Sequence, residues 1–275
     1  MKFAAKCLGL WLAMVATTMI SGMILSPGAA PPTAGEPLTA FQAMAIVYAV
    51  QAIVIAVLAA NIHLARLPKV IVLFVIIFGT ITLMSWIEAI FFNASLKMSS
   101  ALLTFMLVNG AISAAVVAIV SAFLWPSKDS QPLTSLGGLW WKLAVISPLY
   151  VFAYYAAGTF IAWQSETLRA YYAQGINIDQ SLLVPLQVVR GLMWGGLAAI
   201  IVKSVHGSAL FRGLMVGITL ACLCTIVLLM PNPVMPWPVR QIHFVEVFVS
   251  NFLFGWAAGA ILLAGERKPA VPQPA

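Results

Sequence analysis

Eight stretches of this chain stay apolar for about 20 residues at a time, the length a helix needs to cross a bilayer. They run over about 4–25, 39–62, 69–92, 99–125, 140–162, 182–203, 208–230 and 241–264. The breaks between them have physical causes. Ser26-Pro27-Gly28-Ala29-Ala30-Pro31-Pro32 cannot remain helical, and Leu67-Pro68-Lys69, Pro126 to Pro132 and Pro231 to Pro238 interrupt the chain in the same way. Composition agrees. Of 275 residues, 63% are hydrophobic and 8% are charged, against roughly a quarter charged in an average soluble domain. That excludes a water-soluble globule, and so much hydrophobicity excludes a disordered chain. The expected fold is all-α: one polytopic membrane helix bundle of about eight transmembrane helices over 1–265, with a disordered polar tail at 266–275.

The basic residues set an orientation. With the N-terminus in the cytoplasm, eight spans return the C-terminus to the same side. Lys2, Lys6, Arg66, Lys69, Lys128, Lys142, Lys203, Arg212, Arg267 and Lys268 are then cytoplasmic, Lys97, Arg169 and Arg240 are outside, and Arg190 is within a span. This is the positive-inside pattern. The net charge of +7 is therefore a topology signal. The cations are scattered in ones and twos, not gathered on a phosphate-binding face, so nucleic acid is not an expected partner. The first run starts with Lys2 and Lys6, as a secretory signal does. Its apolar stretch of about 18 residues exceeds the usual signal core of 7–15, so a retained helix is expected.

Three late helices carry Gly-x3-Gly: Gly191/Gly195, Gly213/Gly217 and Gly255/Gly259. Such spacing lets helix backbones approach closely. It serves either packing within the bundle or a face for a second copy or another membrane protein. Cys7, Cys222 and Cys224 each lie in an apolar run, as buried thiols rather than a disulfide framework. Tyr150 and Tyr154 share a helix face and are expected to pack in the core.

Ionisable residues inside spans are expensive, and they are the informative ones here. The third helix has Glu88. The sixth has Arg190, with Gln187 one turn earlier. The last begins with Arg240 and carries His243, Glu246, Ser250 and Asn251. At about 1.5 Å per residue, Glu88 lies roughly 6 Å from the outer boundary, His243 roughly 4 Å, Glu246 roughly 8 Å and Arg190 roughly 12 Å. Three helices thus place charge at similar depth on one side, which predicts a shared polar pocket opening outward. His243, Glu246 and Ser250 fall on one stripe of the last helix, with Arg240 and Asn251 at its edge. Arg190 is expected to pair with Glu88, Glu246 or both, because an unpaired guanidinium at that depth is costly.

Three readings of this cluster stay open: an ion pair that fixes helix register, a site that binds a ligand or handles protons, and, for Glu88, Arg240 and His243, snorkelling to the interface. As a site, it suits a cation or a proton relay, or an anionic head group clamped by Arg190 and Arg240. A metal is disfavoured, since Arg190 opposes a cation and His243 is the only histidine at that depth; His63 and His206 lie at the cytoplasmic side. No cofactor and no catalytic residue is assigned. There is no His-Glu-x2-His, no Gly-x-Ser-x-Gly and no adjacent Glu-Glu pair of the membrane-protease kind. The polar loop from Gln164 to Ser181, with Tyr171 and Tyr172, is expected to be a connector. Its alternative is a lid or interfacial helix, as in an enzyme acting on lipid-linked substrate.

The stretches Val239-Arg240-Gln241-Ile242-His243-Phe244-Val245-Glu246 and Ser250-Asn251-Phe252-Leu253-Phe254-Gly255 resemble the last helix of a group of bacterial multi-span inner-membrane proteins. Ile87-Glu88-Ala89-Ile90-Phe91-Phe92 and Trp163-Gln164-Ser165 are similar to the same group. The resemblance would cover most of helices three to eight. It implies a bacterial source, hence the inner membrane, and ties these motifs together, but it brings no activity. The expectation is a small permease or ligand-binding membrane protein. Its partners would be the lipid bilayer and a small ligand or ion. The alternative is an accessory subunit held to a partner by its Gly-x3-Gly faces.

Overall fold

The computed structural model describes residues 2–25, 34–127, 129–173 and 179–265. The tail at 266–275, the break at 26–33 and the cations Lys128, Arg267 and Lys268 lie outside the described residues. The described chain is all-helical, apart from an isolated bridge between Ile62 and Val205. Eight of its helices are long and apolar enough to cross a membrane: α1 (Lys2–Leu25), α2 (Ala40–Asn61), α3 (Arg66–Phe91), α4 (Ser100–Leu124), α5 (Leu139–Phe160), α7 (Gln180–Ser204), α8 (Ala209–Leu229) and α9 (Trp237–Leu263). Between α5 and α7 sits a short helix, α6 (Glu166–Tyr172).

Local chemistry sets the boundaries. Thr39 forms a capping box with Gln42 at the start of α2, and Ser99, Ser165, Asp179 and Ser208 cap α4, α6, α7 and α8. Pro68 does not mark a break, as its place in the sequence suggested. It sits in the first turn of α3, where its missing N–H leaves no hydrogen bond unmade. The middle of α3, Phe78–Leu83, is a π-helix, which nothing in the hydrophobic pattern announces.

Burial is inverted relative to a water-soluble protein. Large apolar side chains such as Leu8, Ile53, Ile71, Ile119, Phe152 and Leu192 face outward. Gln51, Thr80, Ser121, Ser147, Gln187 and Thr219 are buried. Lipid accepts the first group, and the second must find partners inside.

The spans alternate, so α1 begins and α9 finishes at the same end, here called the lower end. Three buried cations there donate to carbonyls at the ends of neighbouring helices. Lys69 Nζ reaches Trp125 O at the end of α4 (2.5 Å). Lys142 Nζ reaches Leu262 O (2.7 Å) and Ala264 O (2.8 Å) at the end of α9. Arg212 reaches Val202 O in the last turn of α7 (2.7 Å). Each satisfies carbonyls that have no partner within their own helix and sits where the helix dipole favours positive charge. His63 and His206 stack at the same end, with centroids 5.0 Å apart.

All three Gly-x3-Gly motifs are used within the chain. A Cβ on Gly255 would lie 2.9 Å from the Gly217 Cα, and one on Gly259 would lie 2.8 Å from the Gly213 Cα, so α8 and α9 meet backbone to backbone. Gly191 faces Ser147 O of α5 at 2.7 Å, and Gly195 faces Leu143 and Ile146. Another element of the same chain packs on each of these faces. Gly196, in contrast, has nothing within 4 Å. Gly255→Ala is expected to cost about 1–3 kcal/mol through overpacking against backbone, while Gly196→Ala is neutral or stabilising. Thermal unfolding of the two variants in detergent checks this, and equal melting temperatures would contradict it.

Candidate functional site

The upper end of the bundle holds a cavity of about 190 Å³. Its wall includes Glu88 from α3, Arg190 from α7, and His243, Glu246, Ser250 and Asn251 from α9. Charged side chains from three spans therefore meet around one space. Tyr150 and Tyr154 from α5, with Trp163 and Tyr172, supply an aromatic wall, and Cys224 of α8 adds a thiol. Tyr150 is also packed in the core, against Trp194 and Phe254, so the two tyrosines do more than fill space.

Within the site, the charges are partnered unequally. Arg190 directs its two terminal nitrogens at the two Glu88 oxygens, each at 3.3 Å, and Nη1 also donates to Gln187 Oε1 at 3.0 Å. This is a two-pronged guanidinium–carboxylate pair that ties α7 to α3. Arg190 is buried while the Glu88 side chain is 39% exposed, so the pair runs from the bundle interior toward the cavity mouth. Tyr150 lies under the guanidinium, with the ring centroid 5.7 Å from Cζ. Arg190 Nε is buried without a partner.

Glu246 does not join that pair. Its Oε2 lies 2.6 Å from His243 Nδ1, one helical turn away on the same helix. His243 Nε2 in turn lies 3.3 Å from the Tyr172 hydroxyl. One proton arrangement satisfies the whole chain: the Tyr172 hydroxyl donates to Nε2, and Nδ1–H donates to an ionised Glu246. Burial, and then the Glu88 and Glu246 charges, push the Tyr172 phenol up, so it remains a donor.

Tyr172 arrives on α6. Ser165 caps this helix by accepting from Leu168 N–H. Leu168 is buried against Ala162 and Val239 and anchors α6 to the start of α9. Tyr171 donates to Val234 O at 3.0 Å, and Arg169 donates to Trp163 O. The 164–181 loop is thus more than a connector: α6 contributes Leu168 and Tyr172 to the cavity wall.

Arg240 is the residue the sequence grouped with this site and the structure separates. It turns away and is fully buried against Glu36 in the loop before α2, with further bonds to Leu228 O (3.1 Å) and Met235 O (3.0 Å). An anion clamp made of Arg190 and Arg240 is therefore excluded by geometry. Gln187 supports Arg190 but does not line the cavity. Asn251 does line it. Sequence reasoning passed over Glu36. The available signal was that it is the only acidic residue in the 26–39 loop, at the same end as Arg240.

No known protein family matches this chain, and no curated protein or solved structure is detectably similar to it. The geometry alone carries the functional argument. It sorts the ionisable residues into two kinds. Arg190–Glu88 and Arg240–Glu36 join different parts of the chain. His243–Glu246 joins one helix to itself. Glu88→Gln strands a buried guanidinium and is expected to cost about 3 kcal/mol, the low end of the range for a broken buried pair because Glu88 is part-exposed. Glu246→Gln is expected to change stability by less than about 1 kcal/mol. Melting temperatures in detergent separate the two, and an equal fall in both would unite the four residues as one structural network.

Proposed function

We propose that this chain is a small permease or ligand-binding membrane protein of the bacterial inner membrane, whose upper cavity takes a small cationic solute. The observation that carries the reading is the His243–Glu246 pair. It is part-buried in a spanning helix, where charge is costly, and lines the cavity, yet it joins no two spans; its one outside contact is Tyr172 of the short helix α6. A ligand gives the pair a use that packing of the spans does not.

The sign of the ligand follows from the charges. Glu88 already balances Arg190. With His243 neutral, Glu246 leaves the cavity one negative charge in excess, and tyrosine and tryptophan faces surround it, which suits a cation. An oxygen on the solute would complete Arg190 Nε. At about 190 Å³ the space is below the roughly 300–1,000 Å³ of drug-sized pockets, so the solute is small. The excess of cations at the lower end supports a cytoplasmic lower end, and the cavity then opens outward.

A thermal-shift panel of small amines, amino alcohols and alkali cations tests this. One or more cations should stabilise the wild type. In Glu246→Gln the affinity should drop roughly tenfold or more, the value of one charge-assisted hydrogen bond. Stabilisation by anions instead, or an unchanged cation response in Glu246→Gln, would count against the reading.

A further inference from the structure

A second cavity of about 380 Å³ shares no lining residue with the first. Its walls come from α1, α2, α3 and α4, with Val227 and Met230 closing it from the end of α8. No charged side chain is among the described residues that line it. Most of the wall is aliphatic or aromatic, but three polar atoms in it have no partner. Gln51 Nε2, Asn109 Oδ1 and Ser113 Oγ are all buried and unbonded, and Gln51 is 2% exposed. Asn109 and Ser113 stand one turn apart on α4, and Gln51 belongs to α2. Thr17, Thr18, Tyr48 and Ser85 of the wall are occupied, Thr17 by Ala13 O at 2.7 Å. Thr18 and Tyr48 bond each other at 2.7 Å, and Ser85 returns to Ile81 O at 3.2 Å.

Orphaned donors and acceptors inside a spanning bundle are costly, more so than in a water-soluble core. Here they are not scattered but converge on one space. The same space is bordered by the π-helical part of α3, through Ile81 and Thr82. Helices of this kind are rare and are found frequently at functional sites. Gly110 lets α4 close on that segment, since a Cβ there would strike the Thr82 side chain. Ile81, Phe105 and Met106 are only half-buried, so the cavity reaches the lipid-facing surface of the bundle.

We infer that this cavity is a binding site for an uncharged, membrane-soluble molecule with an apolar chain and a head that both donates and accepts a hydrogen bond, of the long-chain alcohol class. Gln51 Nε2 donates to the head, Asn109 Oδ1 accepts from it, and the Ser113 hydroxyl does either. A carboxylate or an amine head finds no counter-charge there. A pure alkane leaves the three polar atoms unmet. Entry is sideways from the bilayer, past Phe105 and Met106. The site is separate from the charged cavity and does not rest on the proposed cation binding.

The test uses the full chain in phosphatidylcholine nanodiscs. A hexadecanol carrying a diazirine next to its hydroxyl end is photolysed with the protein, and labelled peptides are mapped by mass spectrometry beside the matching diazirine alkane. The alcohol should label 77–85 and 105–117 saturably, and unlabelled hexadecanol should compete while hexadecane does not. Gln51→Leu with Asn109→Leu should reduce that labelling about tenfold, the value of roughly one lost net hydrogen bond at the head. Ser113→Leu, which fills the space, should do the same and serves as the second variant if the double change fails to fold. Glu246→Gln should leave the labelling intact. Equal labelling by the alkane, no saturation, or full labelling in both cavity variants would each overturn the assignment.

Discussion

A cation taken out of water must find an acceptor, and the layout of this bundle follows from how five of them do. Lys69, Lys142 and Arg212 are buried at the lower end, and each reaches carbonyls that terminate a neighbouring helix. Arg190 and Arg240 are buried at the upper end, and each meets a carboxylate. At the lower end the acceptors are the carbonyls that close α4, α7 and α9, which carry partial negative charge without acidic residues. At the upper end Glu88, in the last turn of α3, and Glu36, before α2, supply full carboxylates.

This arrangement separates structural charge from functional charge. Each of those five cations ties one segment to another, so each fixes packing. The His243–Glu246 pair joins no two spans; it is held within α9 and touched from outside by Tyr172 of α6. A polar pair of this kind on a cavity wall in the spanning region is the feature that an account by packing alone leaves over. The two cavities share no lining residue; one is charged and aromatic, the other uncharged and largely apolar. The π-helical segment lies between the residues that α3 gives to the first and its N-terminal half.

Much of the architecture was legible in the residues. Each of the eight apolar runs became a long helix with ends within a few residues of the expected ones, because run length and proline position act locally. The convergence of Glu88, Arg190, His243 and Glu246 was also legible, since depth follows from counting residues at a fixed rise. Which charge pairs with which was not. Arg190 chose Glu88 over Glu246, and Arg240 chose Glu36 in a loop the helical wheel does not reach. The same holds for the glycines: spacing told that backbones would touch, and packing told that α8 touches α9 and α7 touches α5.

By itself the sequence determined that this chain forms a bundle of apolar helices with charge concentrated near one end. Those properties depend on composition along a single helix and on the cost of polar groups in hydrocarbon. Only the tertiary structure decided the partners of those charges, the wall contributed by α6 and the second cavity lined by Gln51, Asn109 and Ser113. The reason is that these depend on rotation of each helix about its axis and on contacts between residues far apart in the chain, such as Arg190 with Glu88, 102 residues away. Hydrophobic pattern constrains rotation weakly where a helix is apolar all round, as most of these are.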